Sequence, residues 1–175
     1  MIEDITLFSE TQRFKQIWIW IILISVNILV FTGVVQQVFL GQQFGDHPAS
    51  NTTLLIGAAI LVCITALFCF IHLDTIISTN GISVRFFPLQ KRFSFYSWDR
   101  ISKIFIRSYN ATGEYGGWGF RGFGFNRALN ISGNVGIQIS LVNGDQLLIG
   151  TNKPEQVNEV LKQIGQIYKM EFKTE

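Results

Sequence analysis

Between Lys15 and Asp46 the chain has no charged side chain, and between Asp46 and Asp74 the ionisable ones outside the cysteines are His47 and His72. Each uncharged run is longer than the roughly 18 apolar residues that a bilayer-spanning helix needs. The runs are bounded as Ile17 to Leu40 and Leu54 to Leu73, giving a membrane α-hairpin. Residues 1–16 form a short polar segment before it and 41–53 an external loop, and residues 74–175 have the length of one small domain. Arg13 and Lys15 directly precede the first run, as in the basic region of a signal peptide. The run exceeds the 7–15 residues of a signal core and no small-residue cleavage pattern follows, so an uncleaved anchor is expected.

The distribution of basic residues orients the hairpin. Arg13 and Lys15 precede the first helix and Arg85, Lys91 and Arg92 follow the second, whereas 41–53 contains no Lys or Arg. The positive-inside rule then places both termini in the cytoplasm, and Trp18 and Trp20 at a bilayer interface. The sequon Asn51-Thr52-Thr53 abuts the membrane. Within the apolar runs, Asn27 and Gln36 need partners in hydrocarbon, either Thr65 or a second copy, and Gly57, Ala58 and Ala59 permit close helix approach. Neither run has an Asp, Glu, Lys, Arg or His at its middle, so the signature of an ion or proton pathway is missing. Cys63 and Cys69, six apart on one helix, face different ways and cannot form a disulfide with each other.

From Asp74 onward the pattern becomes β-like, with short alternating segments separated by Gly and Asn. A type I′ turn at Asn80-Gly81 joins Ile76–Thr79 to Ile82–Phe87, with Ile82, Val84 and Phe86 facing inward. A third strand is expected over Arg92–Tyr96, with Phe93 and Phe95 on one face, and a fourth over Ser102–Tyr109. Gly136–Val142 and Gln146–Ile149 flank Asn143-Gly144 as the clearest hairpin. The Val157, Val160, Leu161, Ile164, Ile167 and Tyr168 stripe predicts an amphipathic helix over 154–169, with Thr151 or Asn152 as its cap and Pro154 in its first turn. About seven strands and a terminal helix suit a bent antiparallel barrel or sandwich, not a wound α/β sheet.

A hairpin followed by strands, the Trp98-Asp99-Arg100-Ile101 turn, the hairpin ending in Gly150-Thr151 and the Lys153-Pro154-Glu155 helix start together resemble the bacterial pleckstrin-homology-like membrane proteins. The resemblance spans nearly the whole chain. It implies a seven-stranded pleckstrin-homology-like fold with a C-terminal helix and supplies no catalytic residue.

Residues 114–125 are compositionally unusual, with five glycines and five aromatics in twelve residues. They contain no G-x-G-x-x-G, which argues against a nucleotide site. One reading is a glycine-bent hairpin whose aromatics complete the core. The other is an exposed tip that meets lipid headgroups or a protein partner through Tyr115, Trp118, Phe120, Arg121 and Phe123, with Arg107 and Arg127 nearby.

Residues 74–175 hold twelve Lys/Arg against eight Asp/Glu, a net +4 that suits an anionic membrane face and falls short of a nucleic-acid footprint. This cationic supply is Arg85, Lys91, Arg92, Lys103, Arg107, Arg121 and Arg127. The same residues contain no His, no G-x-S-x-G and no H-E-x-x-H, so neither catalysis nor a metal or cofactor is expected. The expected role is a membrane-anchored, non-enzymatic binding or scaffolding module in the bacterial inner membrane. Its partners would be membrane lipids, together with a membrane protein or second copy held through the hairpin. An accessory subunit of a larger membrane complex is the alternative, and an unrecognised membrane enzyme comes third.

Overall fold

The computed structural model describes residues 4–122 and 125–168. The chain forms two compact units, a helical one over Lys15–Phe70 and a β-rich one built from the chain on either side of it.

In the helical unit, α1 spans Ile17–Val34 and continues as a π-helical turn over Val35–Phe39. Helix α2 spans Asn51–Phe70. At about 1.5 Å per residue, 23 and 20 residues each reach the thickness of a hydrocarbon core. Asn27 Nδ2 donates to Thr65 Oγ1 at 2.8 Å and to Leu23 O at 2.7 Å, so the expected cross-helix partner of Asn27 is Thr65. Ser50 caps α2, its Oγ accepting from Thr53 N, and Gln37 Nε2 donates to Asn51 Oδ1 in the sequon. Gly33 lies under the Phe44 ring with no room for a Cβ. Gly57, expected to bring helices together, stands in open space: a methyl added there would meet nothing within 4 Å. It opens on a shallow apolar groove with Val26, Val30 and Leu54.

The second helix is displaced from its expected bounds of 54–73. It starts three residues earlier and stops at Phe70, because Leu73 belongs to a strand and is fully buried in the core of the β-rich unit. An apolar residue reads alike in hydrocarbon and in a protein core, so hydropathy could not place that boundary.

The β-rich unit contains nine strands among the described residues. One sheet has the order β1-β2-β3-β4, from Thr6–Arg13, His72–Ser78, Gly81–Phe87 and Ser94–Ser97. The other has the order β5-β8-β9-β7-β6, from Ile101–Ser108, Val135–Leu141, Gln146–Gly150, Asn126–Asn130 and Gly119–Arg121. All pairs are antiparallel except β7 with β9, which is parallel. The count exceeds the expected seven because the polar segment 1–16 contains β1 and the glycine-rich segment contributes β6.

Strand β1 pairs with β2 from Thr6↔Ser78 to Arg13↔His72, although the whole helical unit separates them in sequence. Its inward positions are Phe8, Glu10 and Gln12. Thr151 Oγ1 donates to Glu10 Oε2 at 2.7 Å, Asn152 N to Oε1 at 2.9 Å, and Gln12 Nε2 to Gly150 O at 2.6 Å. Buried polar groups on β1 are thus tied to the end of β9, which satisfies most of their hydrogen-bonding need.

Ile82, Val84 and Phe86 face inward as expected, at 0–3% exposure. The turn before them differs from the expected I′ type. Gly81 is the first residue of β3 and lacks a positive φ; a Cβ there would strike the Tyr96 carbonyl of β4, so glycine is needed for close strand approach. The β8–β9 hairpin forms where expected, with Gly144 at φ 90° and Leu141 N donating to Asp145 O. Strand β4 begins at Ser94 rather than Arg92, and Phe93 and Phe95 are exposed.

Helix α4 spans Pro154–Tyr168. Its Val157, Val160, Leu161 and Ile164 are buried in the core with Ile82, Ile137, Ile139 and Ile149 from both sheets. The side chains of Ile167 and Tyr168, and Lys169 at the expected helix end, lie outside the described residues. Neither Thr151 nor Asn152 caps the helix. Lys153 O accepts the first helical bond from Val157 N, and the Thr151 hydroxyl is turned to Glu10 and to Lys153 N.

Candidate functional site

Two clefts on the β-rich unit bring together charged and polar side chains from different strands. The first, about 450 Å³, is lined by Phe105, Arg107, Glu114, Tyr115, Gln138 and Gln146. Asn110 caps the short helix α3, Ala111–Tyr115, its Oδ1 accepting from Thr112 N and Gly113 N, and Gly116 ends that helix at φ 71°. This turn presents Glu114 and Tyr115 to Arg107 of β5. Arg107 Nη2 lies 2.7 Å from Glu114 Oε2 and 3.1 Å from Tyr115 Oη, and Nε donates to Gln138 Oε1 at 3.1 Å. The Arg107 hydrogen bond, with one from Asn110 N, holds the Glu114 carboxyl below the ordinary value, and the same ion pair raises Arg107. Burial, opposed by the Arg107 charge, pushes the Tyr115 hydroxyl up. Arg107 is therefore committed internally.

The second cleft, about 510 Å³, is lined by Phe95 and Tyr96 of β4, by Asp99 and Arg100 of the following turn, by Arg127 of β7, and by Leu141, Val142, Asn143 and Asp145 of the β8–β9 turn. Arg127 Nη2 reaches Tyr96 Oη at 3.5 Å, the outer limit of a hydrogen bond, and its Nε is buried without a partner among the described residues.

No family model matches this chain, and no curated protein matches it either.

The seven residues singled out in the sequence do not form one site. Arg107 and Tyr115 meet directly. Tyr115 and Trp118 pack on a small cluster of Tyr109, Ala111, Ala128 and Leu148, and Phe120 packs edge-on against Phe86 at 6.4 Å. Arg121 is exposed, with its Nε donating to Trp118 O at 3.0 Å. Arg127 lies in the other cleft, and Phe123 lies outside the described residues. Glu114, the acid nearest to Arg121 in sequence, pairs with Arg107 instead.

The described part of the segment thus pairs as a strand, with Gly119↔Asn130 to Arg121↔Ala128 in register; Tyr115, Trp118 and Phe120 are partly buried, whereas Arg121 and Phe125 are exposed. Of the seven cations expected to face a membrane, Arg85 is also occupied. Its Nε and Nη2 hold Asp74 Oδ2 at 3.0 and 2.6 Å, and its guanidinium lies 4.5 Å from the Phe93 ring centroid. Burial raises the Asp74 carboxyl, but Arg85, Thr11 and the His72 charge more than offset this and hold it below its ordinary value.

Tyr96, Asp99, Arg100 and Asp145 escaped the sequence reading as cleft residues. Each lies at a strand end or in a turn, where its composition already has a local explanation, and only the pairing of distant strands brings them to Arg127.

Among the described residues, no three His, Cys, Asp or Glu side chains cluster as metal ligands.

Proposed function

We propose that this chain is a two-pass membrane protein of the bacterial inner membrane whose cytoplasmic β-rich unit, of pleckstrin-homology-like type, serves as a non-enzymatic binding or scaffolding module. The observation that carries the reading is the surface of the helical unit. Ile21, Ile22, Ile28, Leu29 and Phe31 of α1 and Ile56, Ile60, Val62 and Leu67 of α2 are all 44% or more exposed, on helices without a single Asp, Glu, Lys or Arg. So much uncovered apolar surface suits lipid rather than water.

The ladder between β1 and β2 adds a topological argument. The two strands flank the hairpin in sequence and pair with each other, so they share one compartment, which requires an even number of crossings between them. Two spanning helices meet that requirement, and the basic flanks favour the cytoplasm as that compartment. The main polar demand of α1, Asn27, is met by Thr65 within the hairpin. This favours the β-rich unit over the helices as the binding surface.

The test is accessibility labelling in cells, in a background with Cys63 and Cys69 replaced by Ala. A His47→Cys variant should react with an impermeant thiol reagent from outside, and a Glu159→Cys variant only after lysis. The reverse pattern, or equal labelling of both before lysis, would overturn the topology.

A further inference from the structure

The half-buried arginines of the β-rich unit fall into two kinds. Arg85 and Arg107 have side chains 28% and 24% exposed, and each is neutralised by a carboxylate at 2.6 and 2.7 Å. Arg127 is also partly buried, yet it takes part in none of the ion pairs among the described residues. Among the described residues its Nε has no hydrogen-bond partner and its Nη2 has only the distant Tyr96 hydroxyl. Leaving charged donors buried and unpaired is costly, and a guanidinium is the side chain best shaped to take a carboxylate through two parallel bonds.

What surrounds Arg127 narrows the partner. The cleft holds two cations, Arg100 and Arg127, and two anions, Asp99 and Asp145, between the aromatic surfaces of Phe95 and Tyr96 and the aliphatic Leu141 and Val142. Formal charge within it sums to zero. A dianionic phosphate would meet both aspartates, whereas a ligand bearing both signs and apolar groups would be matched throughout. One wall is β4, the last strand of its sheet, which offers an edge to an extended chain. Phe95 and Val142 at the rim are 50% and 69% exposed.

We propose that the Arg127 cleft docks an extended peptide segment of a partner protein, with an acidic side chain on Arg127 and a basic one toward Asp99 and Asp145. This deepens the binding role proposed above by naming its surface and the chemistry of its partner. It does not depend on which side of the membrane the unit faces.

The experiment presents the full-length chain, purified in mild detergent, to an array of random octapeptides, and separately to phosphatidylglycerol and phosphatidylcholine vesicles. Bound peptides should be enriched in sequences carrying both Asp or Glu and Lys or Arg. Arg127→Gln should weaken the selected peptides about tenfold or more, the size of one charge-assisted bidentate contact, while Arg121→Gln leaves them unchanged.

Asp99→Lys, at an exposed turn position, should retain the acidic preference and lose the basic one. That variant carries the test alone if Arg127→Gln does not fold. Absence of acidic enrichment, or enrichment indifferent to Arg127→Gln and Asp99→Lys, would overturn the proposal. So would Arg127-dependent capture by phosphatidylglycerol vesicles without peptide selection, which would assign the cleft to a lipid phosphate. Failure here with the expected thiol labelling intact would remove the peptide site and leave the membrane topology standing.

Discussion

The two packed clusters of the β-rich unit are made from different chemistry. The larger is mainly aliphatic, with Leu73, Ile77, Ile82, Val84, Ile137, Ile139, Ile149 and Ile164 all fully buried, and its one indole is satisfied, Trp98 Nε1 donating to Ser78 O at 3.1 Å. The smaller consists of Tyr109, Ala111, Ala128 and Leu148 with Tyr115 and Trp118 against it, and it leaves polar tips unmet. Tyr109 Oη and Trp118 Nε1, and Asn130 Nδ2 on β7, are buried without a hydrogen-bond partner among the described residues. Burial stabilises in both places, but in the smaller cluster part of that gain offsets the desolvation of polar atoms. The glycine-rich segment rests on this second kind of packing, so its attachment should be weaker than its number of aromatics suggests.

The largest effect should come from the aliphatic cluster. Leu161 is 2% exposed on the inner face of α4, and Leu161→Ala should destabilise the β-rich unit by about 2–5 kcal/mol, as a truncation leaving a cavity does. Gln163→Ala, on the exposed side of the same helix, should be nearly silent. Chemical denaturation of the detergent-solubilised protein measures both, and equal small losses would mean that α4 is not part of this core.

An intermediate effect is expected in the glycine-rich segment, where the comparison separates two neighbours. Trp118 is partly buried against the smaller cluster, so Trp118→Ala should cost about 1–3 kcal/mol, below the roughly 3–5 of a fully buried indole. Arg121→Ala, which removes an exposed side chain bonded to the Trp118 carbonyl, should change stability by less than about 0.5 kcal/mol. A loss at Arg121 as large as that at Trp118 would show that the two act as one unit.

The same chemical contrast explains what could be read from the sequence. The hairpin, the β8–β9 turn and the Val157, Val160, Leu161, Ile164 stripe were legible because apolar residues recur at the spacing of their element. Strand β1 was not, because two of its three inward positions are Glu10 and Gln12, whose burial depends on Thr151, Asn152 and Gly150 some 140 residues away. A period-two pattern with polar residues inside looks like a solvated segment. Residues 114–122 were legible in composition but not in sorting. That Glu114 would select Arg107 over Arg121 follows from α3 turning back on β5, and that Arg127 would meet Tyr96 requires strands of two different sheets to approach each other. Both depend on long-range register, which local pattern does not encode.

The smallest effect is also the sharpest test of the contrast. Tyr109 is 5% exposed, and burial pushes its hydroxyl up to about 12; the Asn130 amide beside it opposes the shift, yet among the described residues neither Oη nor Nδ2 completes a hydrogen bond. Tyr109→Phe removes the unmet oxygen and keeps the ring that packs edge-on against Tyr115 at 6.4 Å. At neutral pH the change should therefore lie within about 1 kcal/mol of zero, on the stabilising side if the full desolvation cost is recovered. The pH dependence carries the sign. A hydroxyl whose value is raised on folding by burial leaves stability flat below the ordinary tyrosine value of roughly 10 and makes it fall as pH rises from there toward 12. The parent protein should accordingly lose more stability between about pH 10 and 12 than Tyr109→Phe does, the other tyrosines being common to both. Parallel alkaline denaturation curves, or a Tyr109→Phe protein destabilised by several kcal/mol at pH 7, would mean that the hydroxyl is satisfied and that the two clusters do not differ in this way.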